Sequence, residues 1–186
     1  MANFITLLRI AFLPFIYVAL ASGGDAGRWA GLALFTLAAL TDLIDGYVAR
    51  TTGTASPLGA MLDLGADRLL TLVTVAGLLV GGALGPLAMA AGVVMVARDL
   101  VVATFGEALG KGGRMVESKL ERPKIALQFM GLGLLIFPFS AFPSGTQIAG
   151  AVALIGASGL ALMTLVIYTR HAVPVLRGQL SHRAKK

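Results

Sequence analysis

Residues 146–169 read TQIAGAVALIGASGLALMTLVIYT, a stretch without a charged side chain. A helix needs about 20 apolar residues to cross the hydrocarbon core of a bilayer, so this stretch is long enough to span one. Only 13% of the 186 residues are charged and 57% are hydrophobic, whereas soluble domains carry about 25% charged residues. Further apolar segments of similar length lie at about 5–22, 28–49, 57–81, 84–106 and 124–141. The sequence therefore predicts an all-α integral membrane protein with six transmembrane helices in one bundle.

The six segments leave little chain for anything else. Residues 1–186 are expected to form a single membrane domain, with a basic tail at about 170–186. The first segment is expected to remain as an anchor, because residues 1–10 lack the basic start of a cleaved signal peptide. Cysteine is absent, which excludes disulfides and thiolate chemistry.

Positive charge is distributed unevenly among the connections between the segments. The basic residues of the 107–124 loop and of the tail are Lys111, Arg114, Lys119, Arg122, Lys124, Arg170, Arg177, Arg183, Lys185 and Lys186. Near the other side of the predicted membrane only Arg28 is basic. The positive-inside rule therefore predicts that both termini, the 50–57 turn and the 107–124 loop lie in the cytoplasm, with the protein in the cytoplasmic (inner) membrane. No aromatic pattern or motif accompanies this charge, so nucleic-acid binding is not expected.

Four carboxylates interrupt the apolar pattern of the second and third segments: Asp42, Asp45, Asp63 and Asp67. A carboxylate at membrane depth is costly, and it therefore indicates a functional site. The members of each pair are three or four residues apart, so each pair shares a helix face. Pro57 is a suitable first residue for the third helix. With the 50–57 turn in the cytoplasm, the second and third segments are expected to form a hairpin that turns on the cytoplasmic side. That hairpin would place all four carboxylates at one depth.

The donor atoms predict the kind of ion. Four carboxylates without a nearby Cys or His select a hard cation such as Mg²⁺, Mn²⁺ or Ca²⁺, and they carry enough charge for two ions. Two such ions about 3.5–4 Å apart can clamp a phosphoryl group. The small residues Gly46, Ala49 and Gly59 leave a groove in which a ligand can approach the backbone. Arg50 follows two turns after Asp42, where a guanidinium could bind a diphosphate with two hydrogen bonds.

The residues from 42 to 67 follow a fixed pattern. They read DLIDGYVAR, then eight residues, G, three residues, D, three residues, D. This pattern resembles, at every fixed position, the signature of the CDP-alcohol phosphatidyltransferase family. Such enzymes transfer a substituted phosphate from a CDP-linked donor, usually CDP-diacylglycerol, to an alcohol and release CMP.

The resemblance implies roles for the residues of the signature. Asp42, Asp45 and Asp63 would be metal ligands, and Asp67 would be both a ligand and the base that activates the alcohol. The residues that would line the CDP pocket are Gly46, Ala49, Arg50 and Gly59. The resemblance also implies a homodimer and a requirement for Mg²⁺ or Mn²⁺.

Residues outside the signature bear on the alcohol acceptor. Residues 3–9 read NFITLLR, similar to the start of family members that make phosphatidylglycerophosphate or cardiolipin. Arg98, Lys119 and Lys124 form a basic set that suits an acceptor with its own phosphate, such as glycerol-3-phosphate. Phosphatidylglycerol, inositol phosphate and serine stay open as acceptors. For Arg98 an ion pair with Asp99, Glu107 or an aspartate of the signature stays open as well.

A cation or proton transporter is the alternative from a different class. It could use the aspartates as a relay, but transporter sites usually lie near the bilayer midplane on broken helices. The carboxylates here cluster toward the predicted cytoplasmic ends, beside glycines and an arginine that a relay does not need. A scaffold or an inactive relative is disfavoured because the set of aspartates is complete. The sequence therefore favours a metal-dependent transferase.

Overall fold

A computed structural model describes the backbone of residues 2–52, 57–109, 120–138, 140 and 145–183, and the side chains of residues 6–41, 62–63, 65–102, 120, 123–138, 140 and 145–170. The described backbone forms six helices and no strand, which confirms the all-α prediction. The helices are α1 (Ala2–Ala21), α2 (Asp25–Thr52), α3 (Pro57–Val80), α4 (Pro86–Leu109), α5 (Glu121–Ile136) and α6 (Gly145–Arg183).

Prolines and a glycine set several of the helix boundaries. Pro57 and Pro86 are the first residues of α3 and α4, where a missing amide hydrogen removes no intrahelical bond. Gly82, just after α3, has a φ of 67°, which a residue with a side chain rarely adopts. This conformation lets the amide of Ala83 donate to the carbonyl of Leu78 at 2.9 Å and so closes the end of the helix. The start of α3 at Pro57 confirms the predicted start of the third segment.

One segment in the described part of the chain is long and apolar enough to cross a membrane. It is Gly145–Arg170, within α6, and it coincides with the last predicted span. Thr6–Ala21 and Pro123–Ile136 are also apolar helices but are shorter. The arrangement of six spans and the side on which the termini lie remain predictions.

The helices pack in two groups. α1 packs against both α2 and α3, and α6 packs against both α4 and α5. In the described part, α2 and α3 each contact α1 more extensively than they contact each other. The N-terminal helix therefore joins the two helices that carry the aspartates. The largest side chains of the apolar core are Leu13, Ile16, Leu20, Phe35, Leu70, Leu78, Met95, Leu132, Leu135, Ile136 and Leu154.

Two glycines bring α5 and α6 into backbone contact. A methyl group on Gly131 would lie 2.9 Å from the amide nitrogen of Leu154. A methyl group on Gly150 would lie 3.0 Å from the carbonyl oxygen of Gly131. These distances leave no room for a side chain, as is common where membrane helices pack closely. The two helices therefore form one tight pair, which fixes the position of the polar residues of α5.

α5 ends earlier than predicted, and side chains from two other helices bind its last carbonyls. Phe137 leaves the helical conformation with a ψ of 133°, as residues before a proline usually do, and Pro138 follows. Nη1 of Arg28 donates to the carbonyl oxygen of Phe137 at 3.2 Å. Nε2 of Gln147 donates to the carbonyl oxygen of Leu135 at 3.3 Å. The end of α5 is thus tied to α2 and α6.

Candidate active site

Asp63 and Asp67 lie one turn apart on α3, and both side chains are partly exposed. Nη1 of Arg9, on α1, donates a hydrogen bond to Oδ1 of Asp63 at 3.1 Å. The side chain of Arg9 is 1% exposed, whereas that of Asp63 is 48% exposed. The Asp63 carboxylate therefore contacts a buried cation on one side and is accessible on the other.

The rest of the predicted carboxylate site lies outside the described side chains. These residues belong to the C-terminal half of α2 and the first turn of α3, on either side of one connection. They are Asp42, Asp45, Gly46, Ala49, Arg50 and Gly59, and Lys119 lies outside the described residues entirely. The side chains that are described contain no group of three or more His, Asp or Glu that could hold a metal ion. The convergence of four carboxylates therefore stays a prediction.

A second polar cluster joins α4 and α5 inside the bundle. Oδ1 of Asp99 accepts hydrogen bonds from Nη1 of Arg98 at 2.8 Å and from Nζ of Lys124 at 3.0 Å. The three side chains are almost completely buried. Two cations therefore share one carboxylate. The ion pair of Arg98 with Asp99, which the sequence left open, is confirmed.

Arg98 also connects α4 to α6. Its Nη2 donates to Oγ1 of Thr164 at 2.7 Å, and its Nε donates to the carbonyl oxygen of Ala161 at 3.3 Å. The guanidinium carbon lies 5.5 Å from the centroid of the Tyr168 ring, within the range of a cation–π interaction. A buried guanidinium is stable only when its donors have acceptors, and these contacts provide them. Arg98 is therefore a link between helices as well as a positive charge.

Gln128 connects the helix of this cluster to the turn that carries Asp67. It is 2% exposed and lies one turn after Lys124 on α5. Its Nε2 donates to Oγ1 of Thr71 at 2.6 Å, and the Thr71 hydroxyl donates to the backbone carbonyl of Asp67 at 3.1 Å. Because the single hydroxyl proton of Thr71 points to Asp67, its oxygen can only accept, which fixes the orientation of the Gln128 amide. The Asp67 turn is therefore held against α5.

The sequence predicts no site role for Arg9 or Thr71. Arg9 lies within residues 3–9, the stretch that is similar to the start of other proteins. An arginine in an apolar span needs a partner, and this rule, applied to the sequence, selects Arg9. A threonine such as Thr71 gives no comparable signal, because threonines are common in the packing of membrane helices.

Known proteins are similar to this chain over nearly its whole length, including the residues described above. The profile of the CDP-alcohol phosphatidyltransferase family matches residues 1–167. A protein of Mycobacterium tuberculosis named "Probable phosphatidylglycerophosphate synthase" is 32% identical over 181 residues, which are 96% of this chain and 84% of that protein. The CDP-diacylglycerol–glycerol-3-phosphate 3-phosphatidyltransferase of Pseudomonas fluorescens is 31% identical over 179 residues, 94% of this chain and 91% of that protein.

The fold is similar to that of a solved enzyme, the phosphatidylinositol phosphate synthase of Mycobacterium tuberculosis. Its crystal structure with CDP-DAG bound has a TM-score of 0.68 and 24% identity, over 92% of this chain and 86% of that chain. Its structure in complex with manganese and citrate has a TM-score of 0.68 and 23% identity, over 92% and 82% of the two chains. At these identities the likeness concerns the fold.

Proposed function

Because this chain belongs to the CDP-alcohol phosphatidyltransferase family and is an enzyme of that class, we propose that it transfers the phosphatidyl group of CDP-diacylglycerol to glycerol-3-phosphate. The products are phosphatidylglycerophosphate and CMP. One observation carries the choice of acceptor. Two relatives, 32% and 31% identical over nearly the whole chain, are named for phosphatidylglycerophosphate synthesis or for transfer to glycerol-3-phosphate.

The donor atoms on α3 fit a hard divalent cation. Asp63 and Asp67 offer carboxylate oxygens one turn apart, and the contact of Asp63 with Arg9 involves Oδ1 and leaves the side chain half exposed. Oxygen donors of this kind suit Mg²⁺ or Mn²⁺. In the proposed site Asp42 and Asp45 complete the set, and the four carboxylates hold two ions. Bound there, the ions would offset negative charge on the phosphates as the donor is cleaved.

Asp67 is the proposed base. The hydroxyl oxygen of the acceptor attacks the phosphorus that carries diacylglycerol, the bond from that phosphorus to the oxygen of CMP breaks, and Asp67 takes the hydroxyl proton. The bonds from Gln128 to Thr71 and from Thr71 to the Asp67 backbone support this role, because they restrain the turn from which the carboxylate extends. The proposed lining of the CDP pocket is Gly46, Ala49, Arg50 and Gly59.

Arg98, Lys119 and Lys124 are the proposed ligands of the acceptor's phosphate. Asp99 draws the charged groups of Arg98 and Lys124 together. Two neighbouring cations favour an acceptor with a phosphate over one without, such as serine. Phosphatidylglycerol, which carries a phosphate diester, is the second candidate and would give cardiolipin.

Replacing Lys124 with methionine is expected to raise the KM for glycerol-3-phosphate about tenfold, the equivalent of about 1.4 kcal/mol of binding free energy. Methionine keeps much of the apolar stem, and Asp99 keeps its bond to Arg98, so the fold should persist. Initial rates of CMP release with each substrate varied in turn provide the measurement. The KM for CDP-diacylglycerol is the internal control and should change little. An unchanged KM for glycerol-3-phosphate would place the acceptor phosphate elsewhere.

The proposed enzyme spans the cytoplasmic (inner) membrane six times as one domain of residues 1–186. Both termini, the basic tail at 170–186 and the active site face the cytoplasm. The apolar segment Gly145–Arg170 and the one-sided distribution of basic residues support this arrangement. The family resemblance adds the inference that the enzyme is a homodimer. A site near the cytoplasmic surface would let the acyl chains of the donor stay in lipid while CDP stays in water.

The function is tested by offering purified protein CDP-diacylglycerol with one of four acceptors: glycerol-3-phosphate, phosphatidylglycerol, inositol phosphate or serine. CMP and the lipid product are identified in each reaction. We expect CMP release with glycerol-3-phosphate when Mg²⁺ or Mn²⁺ is present, and none after chelation with EDTA. Cardiolipin formed from phosphatidylglycerol would establish the second candidate instead. No CMP release with any of the four acceptors would contradict the proposal.

A further inference from the structure

Arg9 is a buried cation that no step of the proposed reaction uses. Its side chain is 1% exposed, and its Nη1 lies 3.1 Å from Oδ1 of Asp63. A guanidinium removed from water is stable only near an anion or several acceptors. Arg9 lies on α1, which packs extensively against α3. The contact therefore joins the N-terminal helix to one of the proposed metal ligands.

We propose that Arg9 is a positioning residue for the metal site. By donating to Oδ1, it holds the Asp63 carboxylate in the orientation in which the second oxygen, Oδ2, can bind the divalent cation. This inference rests on the proposed function, because it takes Asp63 to be a metal ligand. It adds to that function a residue from outside the signature and from a different helix.

The two side chains differ in how firmly they are fixed. Asp63 is half exposed, and a carboxylate at such a position can occupy several rotamers. Arg9 is enclosed by the packing of α1, near the buried core residues Leu13 and Ile16 of the same helix. A bond from a fixed donor to a movable acceptor selects one rotamer of the acceptor. Arg9 on α1 thus fixes the orientation of the carboxylate, and Asp63 on α3 supplies the oxygen that binds the ion.

The contact has two effects of opposite sign on a cation at Asp63. The positive charge of Arg9 repels the ion, whereas the fixed orientation of the carboxylate favours binding. Because the charge of Arg9 is already offset by its contact with the carboxylate, orientation should dominate. Hydrogen bonds to ligating groups have this effect in other metal sites, where their loss weakens metal affinity by about 10–100-fold.

The test measures Mn²⁺ binding to the purified protein in the absence of substrates, from the electron paramagnetic resonance signal of the free ion. We expect Arg9→Met to raise the Kd for Mn²⁺ by about 10–100-fold. Arg9→Lys should give an intermediate Kd, because lysine keeps the charge but lacks the planar fork of donors. The melting temperature of each variant shows whether it is folded. If Arg9→Met does not fold, Arg9→Lys decides, and a wild-type Kd in that variant would overturn the proposal.

Arg28→Met is the matched control. Arg28 is also 1% exposed, but its Nη1 bonds to the carbonyl of Phe137 on α5. It precedes Asp42 by fourteen residues, about 21 Å along α2 at 1.5 Å per residue. Arg28→Met should lower the melting temperature and leave the Kd for Mn²⁺ at the wild-type value.

The outcomes separate the inference from the function on which it rests. Wild-type protein that binds no Mn²⁺ would contradict the proposed metal site itself. A wild type that binds Mn²⁺, with equal or tighter binding in Arg9→Met, would leave the metal site intact and overturn the positioning role. Equal weakening in Arg9→Met and Arg28→Met would also overturn it, because the loss would then follow from general destabilisation.

Discussion

Asp67→Asn is expected to reduce the rate of CMP release by about 10³-fold or more. General base catalysis contributes about 10²–10⁴-fold, and the variant also loses a charged metal ligand. Asparagine has the same shape as aspartate but cannot accept the proton of the acceptor hydroxyl. The bond from Thr71 goes to the backbone carbonyl of Asp67, so the substitution leaves it in place. Donor binding should be largely retained, because the other three proposed carboxylates remain.

The measurement combines the rate of CMP release with the affinity for CDP-diacylglycerol. Asp25→Asn is the control, because Asp25 is an exposed carboxylate in the first turn of α2, far along that helix from Asp42. It should show wild-type turnover. Normal turnover in Asp67→Asn would remove Asp67 from the role of base. A loss of donor affinity as large as the loss of turnover would make Asp67 chiefly a binding residue.

Asp99→Asn should destabilise the protein by about 3–5 kcal/mol, the usual cost of breaking a buried ion pair by removing one partner. Arg98 and Lys124 both donate to Oδ1 of Asp99 and are almost completely buried. An amide oxygen can accept a hydrogen bond but does not offset two positive charges. The variant therefore leaves two neighbouring cations without the carboxylate that they share. Thermal unfolding in detergent at constant protein and lipid concentration gives the measurement.

Lys124→Met provides the comparison for that prediction. It keeps the pair of Asp99 with Arg98 and removes one cation, so its loss of stability should be smaller. The double variant Asp99→Asn, Lys124→Met should be more stable than Asp99→Asn alone, because it removes one of the two cations that lose the shared carboxylate. If Asp99→Asn unfolds at the wild-type temperature, the shared carboxylate does not stabilise the bundle.

The helices could be predicted from the sequence because each apolar segment and each boundary is a local feature. Pro57 marks the start of α3, and the uncharged segment that ends near Thr169 marks the apolar part of α6. The early end of α5 also has a local signal, Pro138 after Phe137, although the predicted segment extends beyond it. The donors that bind its last carbonyls arrive from α2 and α6, and these could not be predicted from local features.

The same distinction applies to the candidate site. The spacing of Asp63 and Asp67 and the adjacency of Arg98 and Asp99 are visible in the sequence. The bond of Arg9 to Asp63 joins residues 54 apart, and the bond of Gln128 to Thr71 joins residues 57 apart. Such contacts depend on which helices pack together and on how they are aligned along their axes. The spacing of residues in the sequence indicates neither.

Arg28 has a role in the fold that its position in the sequence does not suggest. By sequence it is the single exception to a basic bias toward one side of the membrane. In the fold its Nη1 binds the carbonyl oxygen of Phe137, at the end of α5. A carbonyl at a helix end surrounded by apolar groups has no water to bind, so this donor has a structural task. In the folded protein this guanidinium therefore serves the end of α5 and is enclosed by other side chains, so it does not add to the charge of the protein surface.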